Sequence, residues 1–128
     1  MRRVQLGLVV GCFYTGASLG AVPVELWTGG DDALTQRFAD SVRAAISESR
    51  DFTEAPANKG ALVMRIPTHV YWSEVRGKIN FSVVVIMTDH QSKYLGVSTG
   101  SCWEEEMRRC AERVVADARQ IWSARNKR

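Results

Sequence analysis

The run Ile79-Asn80-Phe81-Ser82-Val83-Val84-Val85-Ile86-Met87-Thr88 decides the fold. It has the density of β-branched and apolar residues of a strand covered on both faces, or nearly so. In an extended chain, alternate side chains point to opposite sides. Ile79, Phe81, Val83, Val85 and Met87 therefore form one wholly apolar face. Asn80, Ser82, Val84, Ile86 and Thr88 form a second face that is apolar only over Val84 and Ile86. The pattern predicts a central strand with helices on one side and a second side left partly open.

The flanking segments extend this sheet in both directions. Asp89–Lys93 is a polar turn into a last strand, Tyr94–Thr99. Upstream, Ala61–Ile66 reads as a strand with Leu62, Met64 and Ile66 toward the core and Ala61, Val63 and Arg65 outward. Pro67 ends its regular pairing. Thr68 to Lys78 alternates again and reads as a ribbon arm, with Arg76-Gly77-Lys78 as the turn into the central strand. Consecutive strands with short links predict an antiparallel meander.

Two helical patterns frame the strands. After a first strand, Val22–Trp27, the turn Thr28–Asp32 supplies Asp31 or Asp32 as a helix cap. The helix is predicted over Ala33–Arg50, with Leu34, Phe38, Val42, Ala45, Ile46 and Ser49 as one stripe and Arg37, Asp40, Arg43, Glu48 and Arg50 on the solvent side. Phe52 then plugs the core as a short strand begins, and Glu54–Gly60 is a loop. Near the end, Ser101-Cys102-Trp103-Glu104 has the spacing of a capping box. The helix it would start runs to Ala124, with Trp103, Met107, Cys110, Ala111, Val114, Ala118 and Ile121 as its stripe. Residues 125–128 form a basic tail. A helix with a single apolar stripe must lie on another layer. The expected class is α+β: two helices on one face of a mixed, mainly antiparallel sheet of four to five strands.

The first residues need separate treatment. Arg2 and Arg3 precede an uncharged, mostly apolar or small stretch from Val4 to Ala21, the layout of a secretory signal peptide whose cut follows Ala17, Gly20 or, the favoured position, Ala21. An uncleaved anchor would be only just long enough and would hold Gln5 and four glycines. Lipoprotein processing at Cys12 would leave an apolar core of only about eight residues, near the short limit for a leader. The expected organisation is thus a leader over 1–21 and a single domain over 22–124. Losing Arg2 and Arg3 takes the net charge from +3 to +1, so the basic balance is no nucleic-acid signature.

Cys102 and Cys110 are then an even pair in an exported chain, which invites a disulfide. Both on one helix, they would be separated by about 12 Å of rise. A disulfide needs Cα atoms within about 4.4–6.8 Å. The capping box and the bond therefore exclude each other, and a bond requires the helix to start later, near Glu105 or Glu106.

No catalytic or metal set stands out. His69 and His90 lie at no metal-ligand spacing from a cysteine or from each other. Glu104, Glu105 and Glu106 in a first helical turn match the helix dipole. Neither cofactor nor metal is implied. The notable surface is apolar: Val63, Val84 and Ile86, with Tyr71 and Trp72 nearby, share the sheet face away from the helices, either open to a protein partner or shielded by the Thr68–Lys78 arm.

The element order resembles the small N-terminal domain of the periplasmic TolB family. Phe38-Ala39-Asp40-Ser41-Val42 through Ser49-Arg50-Asp51-Phe52 carries the resemblance, with Ala61-Leu62-Val63-Met64 and Gly77–Val83 continued to Asp89. The chain is also similar to small exported proteins of Gram-negative bacteria. The resemblance implies two helices leaning on a mixed five-stranded sheet and a periplasmic location. It implies no site residue.

The expected function is non-enzymatic: a periplasmic accessory domain that binds another envelope protein or its own copy, without nucleic acid or membrane contact beyond the leader. A second expectation is a secreted inhibitor or immunity protein presenting the 68–78 arm, where Tyr71, Trp72 and Arg76 are the residue types that anchor interfaces. A third is a hydrolase whose site the sequence does not display.

Overall fold

The computed structural model describes residues 20 to 127. The expected leader, apart from its last two residues, and Cys12 lie outside the described residues. β1 is Val22–Thr28, α1 Ala33–Glu48, β2 Phe52–Glu54, β3 Leu62–Ile66, β4 Trp72–Val75, β5 Lys78–Asp89 and β6 Tyr94–Trp103. A 3-10 turn, Glu104–Glu106, leads into α2, Met107–Ala124, and a second, Arg125–Lys127, follows it. Both helices lie on one face of a mixed six-stranded sheet, as the α+β reading requires.

β5 is the spine. One edge pairs antiparallel with β6 along nearly its whole length. The other edge is shared: β3 takes the end near Asp89, and β4 takes the end near Lys78. Beyond β3 come β1 and then β2, both parallel. The Thr68–Lys78 segment is therefore no flap over the sheet. It resumes the strand direction of β3 and extends the same edge. Its turn has two residues, Arg76 at φ 54° and Gly77 at φ 80°. Two positive φ values in a row make the tight turn whose twist matches a hairpin.

Alternation on β5 divides the sheet as its pattern predicts. Phe81, Val83, Val85 and Met87 are buried on the helix side with Val24, Leu62, Met64 and Ile66. The α1 stripe, Leu34, Phe38, Val42, Ala45 and Ile46, closes this core, and Phe38 meets Phe81 edge to face. Thr35 and Ala39 are buried with it. Thr35 Oγ1 accepts the amide of buried Val70 at 2.9 Å, which ties the loop after β3 to the helix. Asp32 is the cap, accepting from the Thr35 amide at 3.1 Å. The solvent-side charges of α1 are paired in part: Arg37 with Glu104, Arg43 with Asp40 and Glu54, and Glu48 with Arg108. Exposed pairs of this kind stabilise by about 0–1 kcal/mol each.

The junction of β6 and α2 corrects the sequence reading. Ser101 caps nothing; it lies in β6, which runs on to Trp103, paired with Asn80. Cys102 and Cys110 are bonded, with Cα atoms 6.0 Å apart. The bond and the extra strand pairs together outweigh the local capping signal, and α2 starts at Met107 without a side-chain cap. Trp103 accordingly leaves the helix stripe and sits on the sheet. After α2 the chain continues as the 3-10 turn Arg125–Lys127, with the Arg125 guanidinium 3.7 Å from the centre of the Trp122 ring.

α2 lies close over β6 because the strand is small where the helix crosses. Gly96, Ser98 and Gly100 alternate on that side, opposite Met87, Val85 and Val83. A Cβ at Gly96 would stand 2.9 Å from two carbons of Ile121, whereas one at Gly100 would meet only the movable end of Arg113. Gly96→Val is expected to destabilise by about 1–3 kcal/mol through overpacking. Gly100→Ala should change stability by less than about 0.5 kcal/mol. Urea unfolding of the two variants checks the contrast.

Candidate functional site

The sheet face away from the helices is the candidate site. Register assembles it. Trp27, Arg65, Ile86 and Val97 form one row across β1, β3, β5 and β6. Val84 with Thr99, Ser82 with Ser101, and Asn80 with Trp103 form the next rows along β5 and β6. Large apolar side chains are exposed on this face: Trp27 by 45%, Val84 by 41%, Val97 by 40% and Trp103 by 37%. Val75 and Tyr94 add to it at the ends of β4 and β6. A run of such residues on one face is unusual for a surface without a partner.

Two features bound the face. At the β3–β4 side, Tyr71 and Val84 line a small depression with Ser82 and Pro67. At the far end, Val75, Arg76, Lys78, Trp103, Glu105 and Glu106 line an open cleft of about 500 Å³. Lys78 and Glu105 pair across it at 3.3 Å. Its lining combines apolar Val75 and Trp103 with two basic and two acidic side chains.

The other boundary is a buried acid. β2 and β3 flank β1 on opposite sides, so the loop between them, residues 55–61, must pass across β1. It does so on the open side. The Ala55 and Ala61 amides donate to the Val24 and Pro23 carbonyls. Glu25, only 5% exposed, accepts the Gly60 amide at 2.9 Å on one carboxylate oxygen and the Trp27 indole N–H at 2.8 Å on the other. The Gly60 amide above all, with the Trp27 and Asn58 donors and the Arg65 charge, holds the Glu25 carboxyl below its ordinary range, although burial pushes the other way. Glu25 is thus a peg for the crossing loop and an anchor for the Trp27 ring.

The structure brings some of the sequence-predicted residues together and separates others. Val84 and Ile86 lie side by side on the face, Tyr71 at its edge and Arg76 at its far cleft. Trp72 pairs with Phe81 and so belongs to the other side of the sheet, although its ring is exposed. Val63 has the right parity, next to Glu25 in register, but is 4% exposed and offers a partner no surface. Trp27, Val97, Trp103 and Glu25 were not singled out by the sequence. An acid between apolar neighbours in Val24-Glu25-Leu26, with a tryptophan two residues on, was the available signal for Glu25.

Among the described residues, no group of three or more His, Cys, Asp or Glu side chains is placed to hold a metal ion. No described helix is long and apolar enough to cross a membrane. His69 and His90 are both exposed, and His69 lies against the Tyr71 ring with centroids 5.5 Å apart.

No protein-family model and no curated protein matches the chain. Solved structures share its fold at a distance. TolB from Acinetobacter baumannii aligns over 81% of this chain with a TM-score of 0.55 and 13% identity. That alignment covers 29% of the TolB chain, so this chain spans less than a third of it. The PelC dodecamer from Paraburkholderia phytofirmans aligns over 76% of this chain and 84% of its own, with a TM-score of 0.50 and 12% identity. At these identities the likeness is one of fold.

Proposed function

We propose that the chain is a non-enzymatic accessory domain of the bacterial periplasm that works by protein–protein contact through the open face of its sheet. The observation that carries this reading is the set of exposed Trp27, Val84, Val97 and Trp103 on one face, with half-buried Ile86 in register between Trp27 and Val97. Apolar and aromatic side chains set on strands form a rigid surface that loses little entropy when covered. A bonded cysteine pair fits an oxidising compartment. The PelC chain of the same fold is a dodecamer, which supports protein contact as the mode of action.

Photo-cross-linking inside the cell tests this. A benzophenone side chain at Val84 or Val97 is expected to give a discrete adduct. The same group at Gln120, exposed on α2, is expected to give none. Equal labelling from both faces, or no adduct from either β-strand position, would overturn the reading.

A second reading, an inhibitor that presents the 68–78 arm, has its own observation. Every residue from Tyr71 to Lys78 is exposed, and the arm ends in the rigid Arg76-Gly77 turn. Loss of partner binding in a Tyr71→Ala, Trp72→Ala variant that still cross-links nothing at Val97 would favour it.

A further inference from the structure

We propose that two copies of the chain pair through the free edge of β6, antiparallel and centred on Thr99. The edge borders the open face, to which the Val97 and Thr99 side chains belong, but the contact is made by backbone groups of β6 and not by the centre of that face.

β6 is an outer strand, and among the described residues its far edge has no backbone partner. The bonds of β5 show which residues point outward there. Ser82 donates its amide to the Tyr71 carbonyl at 2.8 Å, on the β4 side of β5. Backbone groups alternate in direction along an antiparallel pair. Ser82, Val84 and Ile86 therefore turn theirs away from β6. Their partners Ser101, Thr99 and Val97 turn theirs away from β5, into the free edge.

Exposed edges are normally blunted by charge, proline or brevity. β2, the opposite edge of the sheet, has three residues. β6 has ten, Tyr94 to Trp103, with neither a charged residue nor a proline among them.

The edge is complementary to itself. A two-fold axis at Thr99 sets Thr99 against its own copy and Val97 against Ser101 of the second copy. Each such pair exchanges both backbone hydrogen bonds. The same register sets Gly100 against Ser98 of the second copy. The Arg113 guanidinium lies over Gly100, where a Cβ would stand 2.5 Å from Nη2. Asp117 accepts from the Ser98 hydroxyl at 2.6 Å. Arg113 of each copy is thereby placed opposite Asp117 of the other, twice by symmetry. Within one copy, among the described residues, neither side chain is in an ion pair. An unrelated strand would find the open backbone but not these charges.

Sedimentation velocity on the purified protein tests the pairing. The expected species is a dimer. Thr99→Lys places two ammonium groups on the axis and is expected to yield a folded monomer whose unfolding midpoint no longer depends on protein concentration. Arg113→Asp and Asp117→Arg should each weaken the dimer, and the double exchange should restore it. Thr99→Cys is expected to form an intermolecular disulfide on mild oxidation, because a hydrogen-bonded antiparallel pair holds its Cα atoms about 5.5 Å apart. Val97→Cys alone should not. A wild type that stays monomeric at the highest attainable concentration overturns the proposal. So does cross-linking at Val97→Cys as ready as at Thr99→Cys. A dimer that survives Thr99→Lys but is lost in Val84→Lys would place self-association on the face and likewise overturn pairing through the edge.

Discussion

Alanine at both Cys102 and Cys110 is expected to lower the free energy of unfolding by about 2–3 kcal/mol, the entropic worth of so short a closed loop. For a domain of this size that is a fall in Tm of about 10–20 °C. The bond fastens the last residues of β6 to the first turn of α2, where the helix has no side-chain cap to hold its start. Both sulfurs are buried, so alanine leaves no stranded polar group. Calorimetry of the variant checks the size of the effect. In the wild type, two alkyl groups should be gained only after reduction. A variant as stable as the wild type would mean that strand pairing at Asn80 and Trp103 holds the junction alone.

Glu25→Gln is expected to cost about 1–3 kcal/mol at neutral pH, although it keeps the size of the side chain. An amide offers one acceptor oxygen, whereas the carboxylate uses two, toward Gly60 and Trp27. One buried donor is left without a partner. The pH dependence carries the sign of the effect. The folded Glu25 carboxyl is held below its ordinary value of 4.5. Its contribution is complete above that value and is lost as pH falls from there through the lower folded value. Over that acid window the gap between wild type and Glu25→Gln should close. Urea unfolding at several pH values checks it; a gap constant with pH would mean that the amide fails through shape and not charge.

What the sequence showed and what it hid divide by range. The alternation of Phe81, Val83, Val85 and Met87 against Ser82, Val84 and Ile86 was legible because a strand has a period of two and a buried face tolerates no slip. The α1 stripe was legible for the same kind of reason. The division of one β5 edge between β3 and β4 was not, since nothing local in Ile66–Trp72 says that a second strand continues beside the same neighbour. Ser101 and Glu104 carried a true local signal that long-range terms overrode. Trp103 followed that error onto the wrong element. Glu25 was hidden because its partner Gly60 is brought over it only by the crossing of the 55–61 loop. On the candidate face, Val84 and Ile86 were readable from one strand. Their neighbours Trp27 and Val97 emerge only from the register between strands.

The place of β1 bears on how the chain reaches this fold. β4, β5 and β6 are joined by short turns, so their pairings close small loops and can form early. β1 is the first strand among the described residues, yet both of its neighbours run parallel to it and lie beyond α1. It is a seam in the sheet whose two sides are synthesised after it. Until β3 is in place, Val22–Thr28 has no strand to join along most of its length, and Leu26 and Trp27 are left as an unpaired apolar segment. The seven residues of β1 are therefore the ones whose protection before folding is complete matters most.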